Sequence, residues 1–381
     1  MEISQTGRNP EEIDLKKLCI QGIKIIIAGI LAVAVLSLIA LVYEYTGVHV
    51  DNPQKDTDYV WLPGQYKANM TEGFSFLFMD ANGYNNTKEN EEKARNGIDI
   101  LLMGSSHVEA VQVASDKNMG YLLNQSLPDK NTYSIGMSGH DIYRVMDNLP
   151  YALERFSPAE YLVMECYDVK LDMGSMLQIL DGSGQRIPSY NEGFVAKMQR
   201  IPAVKWIYKE LSTWNRLEKK QKRLAGEAAK KEADNTGVVA GDAETALDGK
   251  ENNTGDNRLP EGYYETLLKF LSICRINCDL QGCKPIIFYH PTGMFLQNGY
   301  AYFQTEEEYR EAFKRACEEN GILFLDMTDV FLEEYEENHI FPHGFSNTAI
   351  ATGHLNADGH RMIAEALTKL IEEEEQSHGL K

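Results

Sequence analysis

Short apolar runs alternate with amphipathic stretches over most of the chain beyond residue 96. The runs have the length of buried strands, and the stretches between them have the spacing of helices with one apolar face. The predicted strands are 98–103, 133–135, 161–165, 285–289 and 322–326, and the predicted helices are 117–125, 141–156, 261–279, 305–320 and 356–374. Strands that alternate with helices indicate a mostly parallel sheet covered on both faces. The pattern therefore predicts an α/β fold, a three-layer sandwich with a mostly parallel sheet.

A long apolar stretch precedes this pattern. Residues 20–43 carry one charge, Lys24, and are long enough to cross ~30 Å of hydrocarbon at ~1.5 Å per residue. Lys16, Lys17 and Lys24 precede the apolar centre, whereas acids such as Glu44 follow it, so we expect a cytoplasmic amino terminus. The prediction is one transmembrane helix in the cell membrane with the remaining chain outside. The alternative is a cleaved signal peptide, although the small-residue pattern at 32–34 would leave a hydrophobic stub.

Composition divides the chain further. The predicted parts are a cytoplasmic tail (1–19), the anchor (20–43), a stalk or lead-in that packs against the domain (44–95), the α/β domain (96–375) and a tail (376–381). Within the domain, residues 225–258 are poor in bulky apolar side chains and cannot bury enough surface to offset their ordering entropy. We expect a disordered insertion there, with a mobile lid or docking segment as the alternative.

Charge and cysteine content exclude several classes of protein. A formal net charge of -20 opposes binding to nucleic acid, because the phosphate backbone would be repelled. The six cysteines fit neither a disulfide scaffold nor a Cys-x-x-Cys zinc pair, and His140, His290 and His343 do not lie at His-x-x-x-His spacing from one another. The sequence therefore predicts no metal site and no cofactor.

Two segments far apart in the sequence carry candidate catalytic groups. The turn Gly104-Ser105-Ser106 directly follows the first predicted strand, and His354 stands just before the last predicted helix. Open α/β folds place their ligands at the carboxyl ends of the strands. Ser106 is therefore a candidate nucleophile, and His354 is its candidate base.

The order of these segments resembles the SGNH, or GDSL-like, hydrolase superfamily over about residues 98–370. The resemblance implies that the three-layer sandwich is flavodoxin-like. The resemblance makes Ser106 the nucleophile, with Ser105 in place of the family's aspartate, and makes His354, which Leu-Asn and then Gly-His follow, the base. It implies an oxyanion hole formed by the backbone N–H groups of Ser106 and Gly136, with Gly139 as the second choice for the glycine.

The sequence departs from this family at two positions. The family's asparagine of the third block is absent from 165–168, and the aspartate three residues before the histidine is replaced by Ala351. A third group normally orients the imidazole and stabilises its cation. The candidates are Glu165 and Asp326, each at a predicted strand end, or a backbone carbonyl in a Ser-His dyad.

Topology and resemblance together imply a function in the cell envelope. The combination is similar to proteins that work beside membrane-bound O-acyltransferases, which would be a partner, to acylate exported polysaccharides. Ser106 would then carry an acyl group, expected to be acetyl, to or from a cell-envelope glycan. The alternatives are a membrane-anchored carbohydrate acetylesterase and a non-catalytic glycan-binding or assembly subunit.

Overall fold

The computed structural model describes residues 15–43, 47–52, 55–183, 197–198, 201–208, 210–211 and 259–379. The insertion predicted at 225–258 lies outside these residues. In chain order the elements are α1 (Leu15–Tyr43), β1 (His49–Asn52), β2 (Lys55–Trp61), β3 (Tyr66–Asn69), β4 (Ser75–Phe78), α2 (Lys88–Ala94), β5 (Ile100–Met103), α3 (Ser106–Glu109), α4 (Met119–Ser126), β6 (Thr132–Ser134), α5 (Ile142–Phe156), β7 (Tyr161–Cys166), α6 (Met173–Leu180), α7 (Tyr263–Gln281), β8 (Lys284–Tyr289), β9 (Met294–Gln297), β10 (Tyr300–Phe303), α8 (Glu307–Glu319), β11 (Leu323–Asp326), α9 (Thr328–Asn338), β12 (His343–Gly344), β13 (Ile350–Leu355) and α10 (Ala357–Gly379).

Five parallel strands form the central sheet in the spatial order β11-β8-β7-β5-β6. Numbered by their order in the chain, these strands have the flavodoxin-like order 2-1-3-4-5. In such a sheet the direction of winding reverses between the first and third strands, here β5 and β7, and the crevice at their carboxyl ends is where ligands bind. The predicted fold class is confirmed by this topology.

Alternate residues of the central strands enter two separate cores. The paired residues Leu101 and Leu162 pack into one core, which α5, α6, α7 and α8 cover. The next pair, Leu102 and Val163, packs into the other core with α4, α9 and α10. Successive side chains on a strand point to opposite faces, so a strand buried on both sides is apolar at every position. This explains why the five sheet strands were predicted from continuous apolar runs.

The α1 helix contains the predicted anchor. Its segment Cys19–Ala40 is 22 residues long, has a mean hydropathy of 2.7 and is 6% buried. The helix is therefore long and apolar enough to cross a membrane, as a signal sequence would also be.

The segment between this helix and the sheet packs against the α/β domain. It forms two antiparallel hairpins, β1–β2 and β3–β4, followed by α2. Trp61, Leu77 and Met79 are buried in the first core. Asp58 on β2 accepts a hydrogen bond from Asn148 of α5 at 2.8 Å and contacts His140 Nε2 at 3.0 Å. These contacts hold the segment against the α/β domain.

Candidate active site

Ser106 stands at the carboxyl end of β5 as the first residue of α3. Ser105 caps this short helix, because its hydroxyl accepts a hydrogen bond from His107 N at 3.2 Å. Ser105 also donates through its backbone N–H and its hydroxyl to the Glu165 carboxylate, at 2.6 and 2.9 Å. The turn that carries Ser106 is thereby held from beneath by a buried acid of the neighbouring strand.

His354 lies on β13, the second strand of the small β12–β13 hairpin. Its Nε2 is 2.9 Å from Ser106 Oγ. Asn356 fixes the residues that follow, since its amide donates to Phe341 O at 2.7 Å and its side-chain oxygen accepts from Gly359 N at 3.0 Å at the start of α10. The two side chains predicted from sequence are therefore in hydrogen-bonding contact.

The carboxylate that orients His354 comes from Glu72, in the turn between β3 and β4. Glu72 Oε2 is 2.6 Å from His354 Nδ1, and Oε1 accepts the His354 backbone N–H at 2.8 Å. With this pair of contacts, Nδ1 carries the proton and Nε2 is left to accept one from Ser106. Gly353 permits the approach, because a Cβ at this position would lie 2.4 Å from Glu72 Oε1.

Asn347 holds the Glu72 turn on the hairpin. Its amide donates to Met70 O at 2.9 Å and to Gly73 O at 3.0 Å, and its side-chain oxygen accepts from Gly73 N at 2.9 Å. These three bonds straddle Glu72 and leave the turn little freedom relative to β13. Sequence reasoning missed Glu72 because the segment 44–95 showed no readable pattern, and it missed Asn347 because this residue lies in the loop between the short strands β12 and β13.

The two carboxylates predicted to orient His354 bind other groups instead. Glu165 is fully buried and binds Ser105 and His290 Nε2, the latter at 2.9 Å. Asp326 Oδ1 accepts from Thr328 N at 2.9 Å, and Oδ2 is 3.4 Å from Arg310 Nη1. Glu72 takes the orienting position, and the Ser-His dyad with a backbone carbonyl is replaced by a line of three side chains.

The groups predicted for the oxyanion hole lie at the same edge of the sheet. Ser106 N–H belongs to the first turn of α3, where backbone donors lack intrahelical acceptors. Gly136 is buried, and a Cβ on it would lie 2.2 Å from Glu109 N, so it packs directly on the α3 backbone. Gly139, the second choice, is exposed to solvent. Tyr167 follows β7, within the stretch 165–168 that contains no asparagine, and its ring centre is 5.9 Å from that of His107.

Three further histidines meet directly behind the serine and the base. His107, His290 and His343 each offer a ring nitrogen within 4.8 Å of the others, and all three are buried. Burial lowers the pKa of His290 to about 3 and that of His107 and His343 well below the ordinary value, so the rings are neutral at pH 7. Spacing in the sequence could not predict this group, since its members come from α3, the end of β8 and β12.

Comparison with known proteins finds similarity among solved structures. No family model and no curated protein matches the sequence. The order of the parallel strands shows an α/β fold of the flavodoxin-like kind. Among solved structures, the acetyl xylan esterase AlAXEase has a TM-score of 0.37 at 11% identity, over 71% of this chain and 98% of that chain. A protein from Parabacteroides merdae that is described as a GDSL-like lipase has a TM-score of 0.35 at 12% identity, over 75% of this chain and 98% of that one.

A third similar structure is a two-domain esterase active on acetylated mannans. It has a TM-score of 0.37 at 10% identity, over 75% of this chain and 52% of that one. At this level of similarity the activity of this chain has to be inferred from its own side chains.

Proposed function

We propose that this protein transfers an acyl group, expected to be acetyl, to or from a cell-envelope polysaccharide through an acyl-serine intermediate on Ser106. The observation that carries the proposal is the hydrogen-bonded line from Glu72 through His354 to Ser106. A serine becomes a useful nucleophile when a base is in hydrogen-bonding contact and a third group orients that base. Both conditions are met at the edge of the sheet where open α/β folds bind ligands.

Acylation begins when Ser106 Oγ attacks the ester carbonyl carbon and its proton passes to His354 Nε2. The Glu72 carboxylate stabilises the resulting imidazolium through Nδ1. Backbone N–H groups of Ser106 and of Gly136 or Gly139 are proposed to bind the developing oxyanion. His354 then returns the proton to the departing alkoxide, which leaves the acyl group on Ser106.

The second half reaction transfers the acyl group to a hydroxyl. His354 takes the proton of the incoming water or sugar hydroxyl, whose oxygen attacks the acyl-serine, and Ser106 leaves with that proton. A cleft of about 300 Å³ near the carboxyl ends of β7 and β8 supports a hydroxyl-rich substrate, because Thr292, Gln304 and Thr305 contribute polar groups to its lining.

The position of the domain outside the cell, attached by α1, belongs to the same proposal. A single anchor would keep the site near a membrane-bound O-acyltransferase, which is the partner proposed to supply the acyl group.

The membrane-anchored acetylesterase is the second candidate. It is supported by the exposure of the site, since the side chains of His354 and Glu72 are 28% and 22% accessible and water can reach an acyl-serine. The presence of Glu72 removes one main support for a non-catalytic subunit.

The two candidates differ in the acceptor. Full-length protein in detergent would be given an activated acetyl ester with and without a soluble glycan, and both free acetate and acetylated glycan would be measured by mass spectrometry. Acetylated glycan formed at the expense of acetate supports transfer, and acetate alone supports hydrolysis. Ser106→Ala should lower either product by at least about 10³-fold, whereas exposed Ser126→Ala should not. Product formation that survives Ser106→Ala would reject both candidates.

A further inference from the structure

We propose that His107, His290 and His343 bind one zinc-class divalent ion behind the Ser106–His354 pair. The three residues offer nitrogens within 4.8 Å of one another. Three neutral imidazoles with an open fourth position are a ligand set that Zn²⁺ takes in proteins, with water as the remaining ligand. A tetrahedron with bonds of about 2.05 Å separates its ligands by roughly 3.4 Å, so modest rotation of the rings closes the site.

Unpartnered ring nitrogens point to a ligand in this core. His290 Nδ1 and both nitrogens of His343 are buried without a hydrogen-bond partner, and both residues have 0% exposure. A buried nitrogen lone pair without a donor is costly, and a bound ion removes that cost. The ring centres of His290 and His343 are 5.7 Å apart, and those of His107 and His290 are 4.7 Å apart.

Glu165 provides the support that a metal-binding histidine needs. Its Oε1 is 2.9 Å from His290 Nε2, which places the proton on that nitrogen and leaves Nδ1 free to bind the ion. A carboxylate behind a histidine fixes the tautomer and the ring orientation of many zinc ligands. This role also accounts for a buried acid that makes no contact with His354 among the described residues.

The His107 ring gives up one contact when it binds. Its Nδ1 accepts the Leu355 N–H at 3.3 Å, and an ion would either replace that hydrogen at Nδ1 or bind Nε2 and require a proton on Nδ1. In both cases the loss is one long hydrogen bond. The bound ion would in turn connect three segments of the chain. His107 follows Ser106, and His290 follows β8. His343 lies on β12, which pairs with the strand that carries His354. The ion would therefore position the nucleophile and its base.

The test measures metal rather than catalysis, so it is independent of the proposed acyl transfer. Full-length protein in detergent is treated with a chelator, reloaded with Zn²⁺ and freed of loosely bound ion by gel filtration, and its zinc content is determined by mass spectrometry. Wild-type protein should hold about one ion per chain, and His343→Asn should lower this at least about tenfold. The matched control is His339→Asn, since His339 is exposed and lies four residues earlier.

Cobalt provides a readout that does not depend on any variant. Wild-type protein loaded with Co²⁺ should show the intense visible absorption of four-coordinate cobalt, and Zn²⁺ should abolish it by displacement. Zinc content far below one ion per chain in the wild type, or only the weak spectrum of six-coordinate cobalt, would overturn the proposal. Buried water would then be the partner of the ring nitrogens. Equal loss of zinc from His343→Asn and His339→Asn would overturn it as well, even if His343→Asn folds poorly.

Discussion

Glu72 and His354 are 282 positions apart in the sequence, and their contact completes the catalytic line. The serine and histidine were predictable because each adjoins a strand or helix with a clear apolar pattern. The acid was not predictable from the same reasoning, since Ala351 occupies its usual place and is buried in the second core. Glu165 and Asp326 were predicted because they end strands. A strand end places a residue at the correct edge but does not determine its contacts.

Replacing Glu72 with glutamine should slow the reaction without unfolding the protein. The amide can no longer stabilise the imidazolium, and it can hold the wrong tautomer of His354, so we expect kcat/KM for an activated acetyl ester to fall by about 10²- to 10⁴-fold. Initial rates measured for Glu72→Gln and for the exposed control Glu333→Gln would check this. A rate equal to that of the wild type would remove Glu72 from the catalytic line.

Replacing Asn347 with alanine should release the Glu72 turn. Loss of the three hydrogen bonds around Glu72 lets the carboxylate move. Even a small displacement of a catalytic group lowers the rate of the reaction strongly. We expect kcat to fall by about 10- to 100-fold with a smaller change in KM. Asn338→Ala, at an exposed helix end, is the matched control. An Asn347→Ala enzyme with unchanged kcat would show that the turn is held by other contacts.

At the scale of secondary structure, the five parallel strands and their helices follow from apolar periodicity, whereas the small hairpins do not. The segment that forms β1 to β4 mixes Asn, Gly and aromatic residues, so no face repeats for long enough to be recognised. The structure of this segment depends on tertiary contacts such as the burial of Trp61 and Leu77. The β12–β13 hairpin escaped prediction for a similar reason, because its first strand is only two residues long. Elements that tertiary contacts define supply both the acid and the base.

The Asp58 contacts should stabilise the packing of this segment in a pH-dependent way. Burial by itself would raise the pKa of Asp58, but the hydrogen bond and charge of His140 and the charge of Arg144 outweigh it and lower the pKa. Because the pKa of this carboxyl group is lower in the folded protein than in the unfolded chain, the ionised group stabilises the fold at pH values above the unfolded pKa of 3.8. This contribution is lost as the pH falls through the lower pKa of the folded protein.

Replacing Asp58 with asparagine should therefore cost more at neutral pH than in acid. We expect Asp58→Asn to lower the free energy of unfolding by about 1–3 kcal/mol at pH 7, and by less at about pH 3. Denaturant unfolding of the two proteins at both pH values measures the difference. A cost that grows as the pH falls would contradict the assigned sign.

On the scale of the whole molecule, the acidic α/β domain and the apolar α1 helix are suited to different environments. The domain is expected to lie outside the cell, because positive residues flank the amino-terminal side of the apolar segment. Cys19 is exposed at that side, while the other five cysteines are buried. This distribution allows the orientation to be measured with thiol reagents.

A cysteine placed on the domain should be accessible from outside intact cells. Leu280 is 83% exposed, so Leu280→Cys in a Cys19→Ser background should react with a membrane-impermeant maleimide before the cells are permeabilised. The protein with its native Cys19 and Leu280 should react only afterwards. The reverse order would place the domain in the cytoplasm and exclude an envelope glycan as its substrate.

The central claim is that Ser106 is an activated nucleophile, and intact-mass spectrometry tests it most directly. Full-length protein in detergent is treated with a serine-directed fluorophosphonate beside Ser106→Ala and Ser126→Ala. The account predicts one phosphonate adduct per chain on the wild type and on Ser126→Ala, and none on Ser106→Ala. No adduct on the wild type, under conditions that label a known serine esterase completely, or an adduct that persists in Ser106→Ala, would contradict it.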